Sequence, residues 1–233
     1  MRCEDHRFVF NKYFIHLRMI LNTDKALKVA EFLLQVKAVK LQPNHPFKWA
    51  SGWNSPIYCD NRVTLSFPSI RTFIRQTYTE AIEEIFGKPD VIAGVATGGI
   101  AQGALVAQEM GVPFIYVRSS AKEHGMGNQI EGYFEAGQKV VVIEDLISTG
   151  GSSIKAIEAL KAGGLDVKGL VAIFSYGFQV ADENFKKIGC PYATLTNYDL
   201  LVEQALKQDY ISKKDMTSLR EWKESPQTWK QTV

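Results

Sequence analysis

The chain has 233 residues, of which 45% are hydrophobic and 22% are charged, a composition typical of a globular protein with one large domain and an accessory segment. A net charge of +2 is too small to indicate a nucleic-acid-binding surface, and no apolar run approaches the roughly 20 residues that a membrane-spanning helix needs. Cys3, Cys59 and Cys190 lie far apart in sequence, which predicts a cytoplasmic protein with neither a disulfide framework nor a cysteine metal site.

The N-terminal region begins with an extension. Residues 1–21 mix acids, bases and aromatic residues and lack the apolar core of a signal peptide, so we predict a disordered segment or an upstream-start artefact. Asn22 or Thr23 is a suitable cap for a helix that continues to about Lys37. Residues 41–62 then contain three prolines and several aromatic residues, which predicts irregular and short extended structure.

The rest of the chain alternates between strand-like and helical segments. Pro68 begins a second helix, and Gly87 ends it. The predicted strands are 91–95, 113–118, 140–143, 167–174 and 193–197, and the predicted helices are 100–110, 154–162, 180–188 and a C-terminal region from residue 199. This alternation predicts an α/β fold with a mostly parallel central sheet flanked by helices, and ligands of such sheets bind beyond the carboxyl ends of the strands.

The most specific pattern is the segment 140–152, VVVIEDLISTGGS. Its apolar β-branched run predicts a buried parallel strand, which Glu144 and Asp145 close. Backbone N–H groups of the turn Thr149–Ser152 and of the following helix form a site suited to a phosphate. Since a phosphate would repel the two acids, we interpret them as ligands of ribose hydroxyls. The segment therefore predicts a ribose 5-phosphate cradle, although an ordinary βα turn remains the simpler alternative.

Two further segments could complete such a site. The strand and glycine turn 91–99, VIAGVATGG, supply a second anion site that suits a pyrophosphate, although alone they would indicate an ordinary βα turn. The polar stretch 118–127 carries Arg118, Lys122 and His124. A solvated loop is the plain interpretation, but its length and charge suit a lid that closes over a substrate and neutralises a leaving pyrophosphate.

The segment 140–152 resembles the motif that binds 5-phosphoribosyl 1-diphosphate (PRPP) in type I phosphoribosyltransferases. The lid narrows the resemblance to orotate phosphoribosyltransferases, whose lid typically reads Arg-Lys-x-x-Lys-x-His-Gly. The chain matches this pattern at Arg118, Lys122, His124 and Gly125 and departs from it at Ser119, where the family usually has a second lysine.

The segment 47–62 resembles the N-terminal hood of the same family. The matching positions are Ser51, Gly52, Ser55 and Pro56. Tyr58 stands where an aromatic residue stacks on the orotate ring, whereas Ala50 replaces a lysine that contacts substrate in many members. After strand 167–174, where many members carry an arginine for the orotate carboxylate, the chain reads Ser175-Tyr176-Gly177-Phe178. Backbone N–H groups or Arg62 are the remaining candidates to hold that carboxylate.

The resemblance implies a division of the chain and a set of site residues. The divisions are the extension 1–21, an N-terminal helix and hood 22–66, the phosphoribosyltransferase core 67–210 and a C-terminal helical tail 211–233. The implied PRPP ligands are Ala96, Thr97, Gly98, Arg118, Lys122, His124, Glu144, Asp145, Ser148, Thr149, Gly150, Gly151 and Ser152. The implied orotate ligands are Tyr58, Ser148 and Arg62, and the Ala96–Thr97 peptide would be cis.

The implied activity is the transfer of a phosphoribosyl group from PRPP to orotate, with Lys122 and Asp145 as catalytic residues. Mg²⁺ would be carried by PRPP near Glu144 and Asp145, and the lid would serve the neighbouring subunit of a homodimer. Neither a nucleic acid nor a membrane is an expected partner. Two alternatives remain: a purine-base phosphoribosyltransferase, and a PRPP-sensing regulator without catalytic activity.

Overall fold

The computed structural model describes residues 20, 22–49, 52–119 and 129–230. Its helices are α1 (Thr23–Gln35), α2 (Pro68–Phe86), α3 (Gly98–Met110), α4 (Gly151–Ala162), α5 (Gln179–Lys187), α6 (Tyr198–Lys207) and α7 (Asp215–Glu224). Its strands are β1 (Val39–Leu41), β2 (Phe47–Lys48), β3 (Asn54–Ser55), β4 (Ile57–Cys59), β5 (Val91–Val95), β6 (Phe114–Val117), β7 (Ile130–Glu131), β8 (Lys139–Ile147), β9 (Asp166–Ser175) and β10 (Tyr192–Asn197). A 3-10 helix, Asn61–Ser66, joins β4 to α2.

The centre of the molecule is a six-stranded sheet in the order β10-β9-β8-β5-β6-β7. Its strands pair in parallel except for β7, which runs antiparallel to β6. The predicted α/β fold with a mostly parallel sheet is therefore confirmed. A parallel sheet aligns the carboxyl ends of its strands at one edge, so the turns after β5, β8 and β9 lie close together.

The central strand β8 is longer than the sequence predicts. We expected it to end at Ile143, but its pairing with β9 continues to Ile147, opposite Ser175. Glu144 and Asp145 therefore lie within the paired part of the strand and do not close it. The prediction was wrong because the apolar run stops at Ile143, whereas hydrogen bonding to β9 does not depend on apolar side chains.

Hydrophobic cores lie on both faces of the sheet. Val141 and Ile143 of β8 pack on one face with α1, α2 and α6, whereas Val140 and Val142 pack on the other with α4 and α5. All four of these side chains are fully buried. Burial on both faces explains why this strand is a continuous apolar run and not an alternating one.

The N-terminal hood is built from two short antiparallel pairs, β1 with β4 and β2 with β3. Its Trp49 ring packs edge-on against Trp222 of α7, with the ring centroids 5.6 Å apart. Trp222 and Trp229 are both buried, so the region predicted as a C-terminal tail is packed against the body of the protein. Across the parts of the chain that the structure describes, no helix has both the length and the apolarity to cross a membrane.

Candidate active site

A cavity of about 360 Å³ opens at the carboxyl ends of β5 and β8. Its lining residues are Ala96, Thr97, Gly98, Glu144, Asp145, Leu146, Ser148, Thr149, Gly150, Gly151 and Ser152. The two glycine turns that the sequence singles out, around Gly98 and Gly150, lie far apart in the chain and meet here. The structure thus brings together the predicted sugar-phosphate and pyrophosphate segments in a single cavity.

The turn before α4 is shaped as an anion site. Gly150 caps α4 with φ of 82°, a left-handed conformation that favours glycine. No side chain among the described residues caps this helix, so the N–H groups of its first turn face the cavity with their partial positive charge. Thr149 and Ser152 add hydroxyl groups beside them. This arrangement suits the 5′-phosphate of a sugar phosphate.

The loop after β5 lies directly against the end of β8. The Ala96–Thr97 peptide bond is cis, as the resemblance predicts. A Cβ atom on Gly98 would lie 2.2 Å from the Asp145 carboxylate, and one on Gly99 would lie 2.3 Å from the carbonyl oxygen of Ile143. Only residues without a side chain allow this approach, so the two glycines set the width of the cavity between the loop and β8.

The two adjacent acids of β8 have different surroundings. Glu144 is buried, and its carboxylate accepts hydrogen bonds from the Ser153 hydroxyl at 3.1 Å and from the backbone N–H of Asp145 at 3.0 Å. Burial and the nearby Asp145 charge raise the pKa of Glu144 well above its usual range. Asp145 is only partly buried, and its carboxylate lies beside Gly98 at the cavity. Asp145 is therefore the acid placed to meet a ligand, while Glu144 is held by the protein.

Burial also raises the pKa of Asp145, although less than that of its neighbour. A hydrogen bond with Glu144 and the positive charge of Arg62 oppose this rise. The Arg62 guanidinium thus acts on the site electrostatically, but it is already bound to Asp60, with Nε 2.7 Å from Oδ1 and Nη2 3.0 Å from Oδ2. A substrate carboxylate that binds Arg62, as the sequence predicts, has to compete with this bidentate contact.

Two buried residues fix the backbone at the end of β8. The Asn61 side-chain amide donates to the Asp145 carbonyl oxygen at 2.7 Å, and the Tyr78 hydroxyl donates to the Glu144 carbonyl oxygen at 2.6 Å. Both contacts come from segments far from β8 in sequence, namely the 3-10 helix and α2. The sequence analysis missed both residues, because a lone Asn or Tyr carries no local pattern that points to such a role.

The hood carries one predicted substrate contact, Tyr58, at its surface. Tyr58 on β4 is 42% exposed, and its ring centroid is 5.7 Å from that of Phe47. Tyr58 is not among the residues that line the cavity, but its exposed ring is available to stack on a planar ring. Ala50 and Ser51 of the same motif lie outside the described residues.

The stem of the predicted lid begins at β6. The backbone N–H of Arg118 donates to the Gln129 carbonyl oxygen, and the Gln129 side-chain amide donates to the Arg118 carbonyl oxygen, both at 2.9 Å. The Arg118 guanidinium is 3.6 Å from the Glu131 carboxylate. Since β6 adjoins β5 in the sheet, this stem emerges next to the cis-peptide loop. Lys122 and His124 lie outside the described residues.

Comparison with known proteins identifies the family. A model of the phosphoribosyl transferase domain matches residues 66–197. The orotate phosphoribosyltransferase of Porphyromonas gingivalis is 56% identical over 201 residues, which cover 86% of this chain and 96% of that protein. The chain belongs to the orotate phosphoribosyltransferase family. The family member from Listeria monocytogenes serotype 4b is 55% identical over 202 residues, or 87% of this chain and 97% of that protein.

Solved structures agree with this family assignment. The orotate phosphoribosyltransferase of Aeropyrum pernix superposes with a TM-score of 0.69 and 28% identity, covering 79% of this chain and 99% of that one. An adenine phosphoribosyltransferase also superposes, with a TM-score of 0.57 and 22% identity over 72% of this chain and 99% of that chain. The fold is thus shared by enzymes named for different bases.

The acidic residues of the site suit a loosely held magnesium ion. Among the described residues, no group of three or more His, Cys, Asp or Glu side chains could enclose a metal ion. Glu144 already accepts two internal hydrogen bonds, which leaves Asp145 as the carboxylate at the cavity. Mg²⁺ keeps several waters and often binds through substrate phosphates with one or two carboxylates. The residues therefore fit a Mg²⁺ ion that arrives with its substrate.

Proposed function

We propose that this protein is an orotate phosphoribosyltransferase that converts orotate and PRPP into orotidine 5′-monophosphate and pyrophosphate in de novo UMP synthesis. The observation that carries this proposal is the 56% identity to an enzyme of that name over nearly its whole length. The cavity supports it, because its two anion-binding turns and its acid match the parts of PRPP. The widely separated cysteines are consistent with a cytoplasmic location.

We assign each turn of the cavity to one part of PRPP. Ser148 and Thr149–Ser152 hold the 5′-phosphate through hydroxyl and N–H groups, and the loop 96–98 holds the pyrophosphate. Asp145 accepts hydrogen bonds from ribose hydroxyls, with Glu144 supporting it from behind. Displacement at the anomeric carbon needs no covalent nucleophile. It requires accurate positioning of the two substrates and stabilisation of the leaving charge.

Mg²⁺ is the cofactor that this assignment implies. When bound, it would neutralise charge on the diphosphate of PRPP. Asp145 is the residue of this chain that would lie closest to it, and Glu144 would act through its contact with the Asp145 backbone. The protein would thus contribute few direct ligands to the ion.

The residues that line the cavity include no lysine, arginine or histidine, so we assign the positive charge that would balance PRPP to the lid. Arg118 is at its stem, and we assign Lys122 and His124 to the leaving pyrophosphate. We further propose that the protein is a homodimer in which the lid of one subunit covers the cavity of the other. On the base side, Tyr58 stacks on the orotate ring, with Ser148 beside it and Arg62 near its carboxylate.

An assay with four bases tests the proposed function. Purified protein with PRPP and Mg²⁺ is given orotate, adenine, hypoxanthine or uracil, and pyrophosphate release is measured. We expect release with orotate and little with the other three bases. Release with adenine or hypoxanthine would instead support a purine-base enzyme, and PRPP binding without release would support a regulator.

A further inference from the structure

Tyr176 lies at the ligand-binding edge of the sheet. It directly follows β9, and its backbone N–H donates to the Ile147 carbonyl oxygen at 3.1 Å. Ile147 immediately precedes Ser148, the first residue of the phosphate turn. Tyr176 therefore begins the loop next to the cavity, on the neighbouring strand, where parallel sheets place ligand contacts.

The Tyr176 ring is fixed by other aromatic rings. Only 3% of the residue is exposed, and its ring centroid lies 5.2 Å from that of Trp49 and 5.5 Å from that of Phe178, which stacks on it. Trp222 meets it at a steep angle from α7, with centroids 5.7 Å apart. Trp49 belongs to the hood, so Tyr176 lies where the hood meets the edge of the sheet.

The Tyr176 hydroxyl differs from those of other buried tyrosines. The hydroxyls of Tyr78 and Tyr198 donate to backbone carbonyl oxygens at 2.6 Å and 3.0 Å. No hydrogen bond joins the Tyr176 hydroxyl to any residue in the described part of the chain. The Tyr176 hydroxyl is not one of the described side-chain atoms that are both fully buried and without a partner, so it reaches the surface, where a ligand or water can accept its hydrogen.

The charged and polar groups that shift the pKa of Tyr176 show which parts of the protein lie near its hydroxyl. Burial raises its pKa well above the usual range, and Cys59, Asp145, Tyr198 and Tyr58 raise it further. Cys59 and Tyr58 belong to β4 of the hood, and Asp145 lies at the end of β8. The hydroxyl is thus close enough to the hood and to the end of β8 to interact electrostatically with both. Because its pKa is raised, it is protonated at neutral pH and can donate a hydrogen bond.

We infer that the Tyr176 hydroxyl is a specificity-determining group that donates a hydrogen bond to an oxygen of the pyrimidine substrate. This inference rests on the proposed function. Orotate has suitable acceptors in its carboxylate and its ring carbonyls. Because Asp60 already engages Arg62, the hydroxyl is a donor that the substrate can use without breaking an ion pair. A base without a suitable acceptor leaves the hydroxyl unpaired and is discriminated against.

The test compares Tyr176→Phe with Tyr198→Phe. Both variants keep their aromatic ring and lose one buried hydroxyl, but only Tyr198 uses its hydroxyl within the protein. We expect Tyr176→Phe to raise the KM for orotate about 10-fold, leave the KM for PRPP within about twofold and leave Tm unchanged. Tyr198→Phe is expected to lower Tm and to leave both KM values unchanged.

Two results would reject the inference. They are an unchanged KM for orotate in Tyr176→Phe, whether or not its Tm falls, and an equal rise in the KM of both substrates. The activity of the wild-type protein on orotate shows whether the inference or the proposed function has failed. A wild type inactive on orotate would reject the proposed function, whereas an active wild type with an unchanged Tyr176→Phe would reject the inference alone.

Discussion

At the scale of single residues, the adjacent acids Glu144 and Asp145 have separate tasks. The Ser153 hydroxyl and a backbone N–H occupy the Glu144 carboxylate, whereas the Asp145 carboxylate lies at the cavity beside Gly98. A carboxyl group whose pKa is raised by burial makes the folded state less stable when it ionises, whereas a carboxylate at a cavity can contact a ligand. Substitution of each acid by its amide should separate the two effects.

Asp145→Asn should weaken PRPP use while preserving the fold. Asparagine keeps the shape of the side chain and the backbone carbonyl that Asn61 binds. It replaces one carboxylate oxygen, which would accept a hydrogen bond from a ribose hydroxyl, by an NH2 group. It also removes the negative charge that would lie near Mg²⁺. We expect kcat/KM for PRPP to fall about 100-fold or more, with an unchanged circular dichroism spectrum. An unfolded variant would show that the carboxylate is structural.

Glu144→Gln should change the pH dependence of stability. Because the pKa of Glu144 is raised by folding, the folded protein retains a proton that the unfolded chain releases as pH rises above the usual value of 4.5. The free energy of unfolding of the wild type therefore falls with increasing pH between the usual and the raised pKa. Glutamine stays neutral, and its amide can bond both Ser153 and the Asp145 N–H.

We therefore expect Glu144→Gln to have a higher Tm than the wild type at pH 8 and a similar Tm at pH 4. Each kcal/mol of gain corresponds to about 2–4 °C in a chain of this size. Thermal melts across this pH range measure the difference. The exposed Glu158→Gln is the matched control and should show no such trend. A gain in Tm that does not depend on pH would exclude the titration of Glu144 as its cause.

At the scale of elements, the site depends on a close contact between the β5–α3 loop and β8. Gly98 and Gly99 allow the loop to approach the strand to distances that no Cβ atom tolerates. Asn61 and Tyr78 also hold this end of the strand, through the carbonyl oxygens of Asp145 and Glu144. The acidic end of β8 is thus fixed between three segments, which limits the positions open to a bound ligand.

Gly98→Ala should displace the Asp145 carboxylate without unfolding the protein. The new methyl group would lie 2.2 Å from that carboxylate, which is the mobile end of a side chain and can rotate away. Alanine is also a better residue than glycine in the first turn of α3. We expect the KM for PRPP to rise about 10-fold and Tm to change by less than about 2 °C. A large fall in Tm with a normal KM would place the role of Gly98 in packing alone.

At the scale of the whole molecule, the described cavity supplies acid and N–H groups but few cations. Arg118 is at the stem of the lid, near Glu131, and the family resemblance assigns Lys122 and His124 to the leaving pyrophosphate. A cavity that binds a highly charged substrate needs such groups to offset its charge. A lid that crosses between subunits would make the homodimer the catalytic unit.

Mixing two inactive variants tests this shared site. If the lid serves the neighbouring subunit, a hybrid of Lys122→Ala and Asp145→Asn subunits contains one site with both residues intact. Random mixing makes about half of the dimers hybrid, each with one good site, so about a quarter of wild-type activity should return. Activity near zero after confirmed subunit exchange would place Lys122 in the cavity of its own subunit.

The sequence by itself determined the order of the elements and the glycine turn after β8. Each is encoded locally, by Pro68 and Gly87 at the ends of α2, by the apolar run of β8 and by the glycines after it. The Ala96–Thr97 cis peptide was also predicted, through the family resemblance of this short segment. Such features involve residues within a few positions of one another, so a pattern along the chain is enough to find them.

Only the tertiary structure decided how the side chains share their tasks. The ion pair of Arg62 with Asp60 and the hydrogen bond from Ser153 to Glu144 depend on rotamers and distances that packing sets. Asn61 and Tyr78 reach β8 from 84 and 66 positions away in the chain. Pairing with β9 likewise carried β8 beyond its apolar run. Contacts between residues so far apart leave no periodic pattern in the sequence, because they form only once the sheet and its helices have assembled.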